Sequence, residues 1–339
     1  MNYENMRTAT VMAVHRERYE LYAEGETFYG RLKAANFYGT KDMVDFPTVG
    51  DEVQVNYNQD GDSQLIEILP RKTVFMRLNS TQGLPDQAVA ANFDYVFITM
   101  SLNRDFHIAK LERYLTVSWQ SGAIPVIILT KADICEDKEG YLSQVERIAP
   151  GVDVYCVSSL TGEGFSQLEG YFQKGKTVVL LGSSGVGKSS FVNALLGTAQ
   201  MLTGEIREAD AQGRHTTTYK QCIFLPDEIR LPNGTCLTGG GRIMDTPGMR
   251  KLLVTDIEEG KEKSFEDIES LISCCKFSDC QHKTEPGCAV REALENGLLD
   301  AKHWKTYLTL QREEAYAAER KKVMMKRIGK TRRDMSRRR

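Results

Sequence analysis

The chain has 339 residues, 41% of them hydrophobic, and a formal net charge of -2, which together predict two or three domains with a packed core in the central one. No run approaches the length of a membrane span, and MNYENMRTATVM at the start lacks the basic and apolar regions of a signal peptide. A cytoplasmic protein with no membrane attachment is expected, and no internal repeat is evident.

Residues 1–72 read as β structure, with short alternating runs in TATVMAV, ETFYGRLKA, DEVQVNYN and SQLIEIL separated by Gly, Asn and Asp. PTVGD at 47–51 is the turn before a strand. Five or so short strands without a helical stretch predict a small closed barrel, of the OB type or SH3-like. Tyr29, Phe37 and Tyr38 are aromatic residues that can stack bases or serve as barrel core and rim. Residues 73–92 lose periodicity and are expected to be a linker.

From YVFITMS at 95–101, strands alternate with helical patterns, first FHIAKLERYLTVSWQSG at 106–122 and then PVIIL at 125–129. This alternation predicts a mostly parallel α/β sheet. TKAD follows at 130–133, at a strand end where such sheets present ligand contacts. The Asp133 carboxylate can accept from the ring N–H and the exocyclic amine of guanine, a donor pair adenine lacks, so Thr130, Lys131 and Asp133 form a candidate base reader favouring GTP over ATP. The strand VDVYCV at 152–157 ends in Ser158, Ser159 and Leu160, similar to the short SAK-type loop that lies against the base in GTPases.

TVVLL at 177–181 leads into GSSGVGKSS at 182–190, which fits G-x-x-x-x-G-K-S/T between a strand and a helix ending near Gly197. Backbone N–H groups of Gly182, Ser183, Ser184, Gly185, Val186, Gly187 and Ser190 can cradle phosphates at the helix N-terminus. Lys188 can reach the β- and γ-phosphates, and the Ser189 hydroxyl can ligate Mg²⁺. GRHTTT at 213–218 offers switch-loop hydroxyls, Thr217 favoured between Thr216 and Thr218 as the Mg²⁺ ligand. DTPG at 245–248 follows GGRIM, so that Asp245 can hold the Mg²⁺ shell and the Gly248 N–H can meet the γ-phosphate. The next residue is Met249, which cannot orient a water, and His215 is the candidate for that role. In an ordinary GTPase the phosphate loop opens the domain and the N/T-K-x-D reader closes it; here TKAD comes first, so the order is circularly permuted.

Behind DTPG, Cys275, Cys280, His282 and Cys288 are spaced C-x4-C-x-H-x5-C, a ligand set suited to one closed, structural, tetrahedral Zn²⁺ site. Adjacent Cys274 should project elsewhere. Cys135, Cys156, Cys222 and Cys236 are dispersed, as expected of reduced thiols. Residues 289–325 are helical in pattern. Residues 320–339 hold 11 Lys or Arg against Asp334 alone, a local +10 that leaves the rest of the chain at -12. Such a block is expected to be a solvated tail when free and able to neutralise phosphates when bound.

The permuted order together with GSSGVGKSS, GRHTTT and DTPGMR resembles the RsgA family, also called YjeQ, of ribosome small subunit-dependent GTPases, over nearly the whole chain. SLNRDF at 101–106 departs from the more Pro-rich loop usual there. The resemblance favours OB for the barrel and implies five parts: 1–72 OB-fold barrel, 73–92 linker, 93–255 circularly permuted GTPase domain, 256–325 zinc-binding helical module and 326–339 basic tail. It further implies hydrolysis of GTP to GDP and phosphate, stimulated by the 30S subunit, late in 30S maturation, by a monomer that binds 16S rRNA. The alternative is a P-loop ATPase or small-molecule kinase with a structural zinc module, which Asp133 argues against. A third reading is an RNA-binding protein whose nucleotide site only gates its conformation.

Overall fold

The structure, a computed structural model, describes residues 5–15, 18–33, 46–77, 86–104, 106–197, 221–245 and 258–336. Two compact units divide the chain: one holds 1–79, 84–106 and 121–252, the other 80–83, 107–120 and 253–339.

The first unit opens with β1 Met6–Val14, β2 Tyr19–Ala23, β3 Glu26–Leu32, β4 Glu52–Asn56 and β5 Ser63–Ile68. Their order is β1-β2-β3-β5-β4, and β4 pairs back onto β1 from Met6↔Asn56 to Thr10↔Glu52, closing the barrel. All pairs are antiparallel except β3 with β5. This is the OB arrangement. Alternation puts Ala9, Val11, Leu21, Val53, Val55 and Leu65 inside, all buried. The PTVGD turn is held by Asp51, whose fully buried carboxylate accepts from the Thr48 N–H at 2.7 Å and from both arms of Arg71, Nε at 2.6 Å and Nη2 at 2.7 Å.

The segment expected as an aperiodic linker holds two paired strands, β6 Val74–Arg77 and β7 Gln87–Ala91, with Val74 opposite Ala91. Its apolar signal is carried by small residues: Ala88, Val89, Ala90 and Ala91 are all buried, and Phe75 stacks on Phe93 at 4.7 Å.

The nucleotide-domain sheet comprises β8 Tyr95–Ser101, β9 Ile124–Thr130, β10 Asp153–Cys156, β11 Thr177–Leu181, β12 Gln221–Phe224 and β15 Arg242–Asp245, in the order β10-β9-β8-β11-β15-β12. Every pair is parallel except β12 with β15. β11, the strand before the phosphate loop, is central although β8, β9 and β10 all precede it in the chain, which is the permutation seen in three dimensions. Between β12 and β15 the chain makes a separate ribbon, β13 Glu228–Arg230 with β14 Cys236–Thr238. The core joins Phe97, Val126, Val178 and Leu180 of the strands to Phe165, Phe172, Phe191 and Leu195. The barrel continues into this sheet through the pair Ala13↔Gln221, with the Tyr22 and Phe224 rings 4.6 Å apart.

The second unit is helical: α1 Ile108–Gln120, then α4 Glu258–Ser264, α5 Glu266–Ser273, α6 Ala289–Glu295 and α7 Ala301–Ser336, with α2 Lys138–Ile148 and α3 Lys188–Leu196 belonging to the first unit. Although α1 lies between β8 and β9 in sequence, it packs with α4 and α7. At the closest approach of α1 and α4, a Cβ on Gly260 would lie 2.3 Å from the Thr116 carbonyl oxygen. The basic segment expected as a solvated tail is helical backbone through Ser336, in keeping with the good helix propensity of Lys, Arg and Met. Among the described residues no helix is long and apolar enough to cross a membrane.

Candidate nucleotide site and metal centre

The phosphate loop begins where fully buried β11 ends. A Cβ on Gly182 would sit 2.3 Å from the Thr99 hydroxyl oxygen and 2.5 Å from its carbonyl oxygen, so only glycine lets the loop leave the sheet beside β8. Thr99 Oγ1 also donates to the Leu181 carbonyl at 2.9 Å, fixing that departure. Gly185 and Gly187 take φ of 81° and 98°, left-handed values that fold the loop over the start of α3. Gly187 caps α3 in a left-handed conformation with no side-chain cap hydrogen bond. Gly197 closes the helix at φ 65° as its sequence position predicts. The Lys188 ammonium donates to the Gly182 carbonyl at 2.8 Å and the Ser183 carbonyl at 2.6 Å, so it lies folded across the loop that phosphate oxygens would enter. Val186 is buried, whereas Ser184, Gly185 and Ser190 are exposed and Ser183 and Ser189 half-buried.

The base reader is tied to this loop through one buried hydroxyl. Thr130 Oγ1 donates to the Val186 carbonyl at 2.5 Å and lies 3.2 Å from the Met100 carbonyl, so both ends of the candidate site share an anchor. Lys131 takes φ 61°, a left-handed value uncommon for a side chain-bearing residue, and the turn it makes leaves Asp133 exposed. The Ala132 N–H donates to the Val157 carbonyl at 3.1 Å, joining TKAD to the Ser158–Ser159–Leu160 loop. In that loop Ser158 is fully buried, and its groups are used internally: Oγ accepts from the Thr161 N–H at 3.2 Å and its carbonyl from the Gly162 N–H at 2.8 Å. Ser159 is half-buried and Leu160 is 77% exposed, so the free surface of the loop is theirs.

Asp245 lies one residue beyond the pair Val179↔Met244, at the end of β15 beside the strand that feeds the phosphate loop. Ser189 and Asp245 offer the oxygen ligands that Mg²⁺ takes, and both belong to segments leaving the carboxyl edge of one sheet. His215, Thr217 and Gly248, with Thr216, Thr218 and Met249, lie outside the described residues.

Cys275, Cys280, His282 and Cys288 present ligand atoms all within 4.8 Å of one another. The Cys275 and Cys288 sulfurs lie 3.6 Å and 3.5 Å from His282 Nδ1 and 4.0 Å from each other. Tetrahedral zinc at ordinary bond lengths sets sulfur–nitrogen pairs about 3.6 Å apart and sulfur pairs about 3.8 Å apart, so the set fits. In this loop His282 turns at φ 59°, and the Glu285 carboxylate accepts from the N–H groups of Gln281, Lys283 and Thr284; its own backbone N–H first, then these three, bring its pKa down to about 2. The Cys288 sulfur also accepts from the Arg291 N–H at the start of α6. Cys274 is exposed and outside the cluster, as its position predicts.

Three arrangements escape sequence reading: the Asp51–Arg71 clamp, the β13–β14 ribbon, and a buried polar group in the helical unit. There His303 Nδ1 lies 2.5 Å from Glu112 Oε1 and Nε2 lies 3.2 Å from Asp267, with the imidazole stacked on Phe265. Glu112 carried a signal, since it shares the buried face of α1 with Leu111 and Leu115.

A sequence model described as RsgA GTPase matches residues 68–255. A Listeria monocytogenes protein named small ribosomal subunit biogenesis GTPase RsgA 1 is 47% identical over 310 residues, covering 91% of this chain and 84% of its own length. A Vibrio parahaemolyticus protein named small ribosomal subunit biogenesis GTPase RsgA 2 is 40% identical, covering 93% and 81%. Among solved structures, YjeQ from Thermotoga maritima superposes with a TM-score of 0.62 at 27% identity, covering 91% of this chain and 98% of that one. YloQ, described as a circularly permuted GTPase, gives 0.57 at 26%, covering 94% and 97%. Sequence and fold thus match relatives over almost the whole length, and the chain belongs to the RsgA GTPase family.

Proposed function

We propose that this GTPase hydrolyses GTP to GDP and phosphate while engaged with the small ribosomal subunit, in late 30S maturation, and that 16S rRNA is part of the surface it meets. The observation that carries the reading is the shared anchor at Thr130: one buried hydroxyl binds the guanine-reading segment to the phosphate loop in a permuted chain. Curated relatives named for small-subunit biogenesis support the ribosomal context. Working there, the protein acts as a monomer in the cytoplasm. An adenine-nucleotide enzyme is disfavoured by Asp133, which stands exposed at the strand end with no adenine donor pair to meet it.

In this reading the first-turn N–H groups of α3 receive the phosphates, Lys188 exchanges the Gly182 and Ser183 carbonyls for β- and γ-phosphate oxygens, and Asp133 reads the base. Ser189, Asp245 and Thr217 would hold Mg²⁺, which when bound neutralises charge on the β- and γ-phosphates. His215 orients the attacking water in the place of a residue that Met249 cannot replace. Cys275, Cys280, His282 and Cys288 hold one structural Zn²⁺. The working parts are 1–72, 73–92, 93–255, 256–325 and 326–339, as barrel, connection, GTPase, zinc-binding helical module and basic extension.

Single-turnover hydrolysis of GTP with and without 30S subunits tests this directly. A rate that rises on adding 30S supports it; equal rates would reject stimulation by the subunit. His215→Ala with 30S present should lower turnover, and an unchanged rate at retained GTP affinity removes the histidine from the mechanism.

A further inference from the structure

The β13–β14 ribbon is inserted between β12 and β15, two neighbouring antiparallel strands of the sheet. Its inner residues Ile229, Leu231 and Leu237 are buried in one core with Phe191, Val192 and Leu195 of α3, so the ribbon is seated on the phosphate-loop helix. Its turn is self-supporting: the Leu231 N–H donates to the Thr235 carbonyl, the Gly234 N–H to the Leu231 carbonyl, and the Thr235 N–H to Asn233 Oδ1 at 3.0 Å. Asn233 is therefore fixed by its own turn and presents its amide outward. That amide meets the loop after Ser159: Nδ2 donates to the Gly162 carbonyl at 3.4 Å.

The hydrogen bond is long, but packing closes the same approach. A Cβ on Gly162 would lie 2.9 Å from Asn233 Cγ and Oδ1, and Gly162 takes φ 79°. A second bond grips the segment farther on, where the Thr238 N–H donates to Glu169 Oε1 at 2.7 Å. Residues 162–169 are thus held at both ends by an element that also rests on the phosphate-loop helix.

We infer that the β13–β14 ribbon is a strut that fixes the loop against the guanine base, with Asn233 as its positioning residue for nucleotide selectivity. The inference rests on the reading of residues 158–160 as the base-facing loop. Asn233 touches no nucleotide; it sets where the Ser159 and Leu160 backbone can stand, through the Gly162-to-Ser158 hydrogen bond. Loosening it should cost base recognition and spare phosphate binding.

The test uses the full-length protein and Asn233→Asp, which keeps the acceptor for the Thr235 N–H and replaces the donor facing Gly162 with an anionic oxygen. Dissociation constants are measured with Mg²⁺ for GDP, ADP and inorganic pyrophosphate, alongside hydrogen exchange of residues 158–163. Loss of one hydrogen bond predicts GDP affinity lower by about 3- to 10-fold, unchanged pyrophosphate affinity and faster exchange confined to that loop. Asn233→Ser supplies the same readouts should the aspartate variant fail to fold. Equal loss for GDP and pyrophosphate, or an unchanged GDP constant in a wild type that prefers GDP to ADP, overturns the strut alone. A wild type without that preference overturns the base-loop reading and the strut with it.

Discussion

Thr130 shows how much a single hydroxyl can carry when it reaches two carbonyls from different strands and loops. It is 2% exposed, and Val186, whose carbonyl it bonds, is equally buried. Thr130→Val keeps the shape and removes the donor, leaving that carbonyl without its partner at a cost of about 1–3 kcal/mol. Denaturant unfolding of the nucleotide-free variant should show that loss together with weaker GDP binding, and Thr130→Ser should recover both; GDP binding equal to wild type would separate the hydroxyl from the site. Arg71 presents the larger case, because its partner Asp51 is wholly buried. Arg71→Leu strands a charge, and a loss of about 3–5 kcal/mol is expected by the same measurement, whereas a change within about 1 kcal/mol would mean that water replaces the guanidinium. TKAD and GSSGVGKSS were legible as strings because their chemistry demands those residue types at fixed spacing. The hydroxyl joining Thr130 to Val186 and the Asp51–Arg71 clamp were not, since residues 56 and 20 positions apart meet only through the sheet and the barrel.

Among elements, α1, α5 and α7 meet around His303, and the outcome depends on charge. Burial disfavours its protonated form, but Asp267 and Glu112 on either side of the ring outweigh it and push the pKa from 6.5 up to about 9. A folded-state pKa above the unfolded one gives stabilisation that is whole below about pH 6.5 and lost as pH rises through about 9. The difference in melting temperature between wild type and His303→Gln should accordingly narrow from about pH 6 to about pH 10, and a gap independent of pH would assign the histidine a packing role only. The segment between α5 and α6 brings together a different set of groups. Its thiols and imidazole are close enough for one ion, and between α5 and α6 Cys288 alone is among the buried hydrophobic residues. A strong chelator should melt this module and release one zinc per chain by elemental analysis; full helicity after treatment, with no zinc found, would leave the cysteines as ordinary thiols. The four ligands could be read from their clustering in a short segment together with the family resemblance, whereas the helix through Ser336 could not: its density of like charge suggested solvated coil, and the propensity of the same residues for helix prevailed.

Across the whole molecule, permutation keeps the sheet and moves the cut. β11 remains central with β8 and β15 on either side, as the motif order implied, and in sequence β15 is followed by the segment that carries the cysteine cluster. Charge is arranged along the same direction, with +10 in residues 320–339 and -12 in everything before them. A body of net negative charge is repelled by RNA as a whole, so a ribosomal partner must be met through local positive surface, and the last helix is where the sequence concentrates it. Truncation after Met325 removes eight Lys or Arg and Asp334. Each phosphate that the shortened chain no longer neutralises should flatten the logarithmic salt dependence of binding by roughly 0.7–0.9. The truncated protein should therefore bind 30S subunits more weakly at low salt, with a shallower slope that converges on the full-length isotherm as salt rises, while its GTP affinity stays the same. Superimposable isotherms for the two proteins across the salt series would mean that the basic segment neutralises no phosphate on the ribosome.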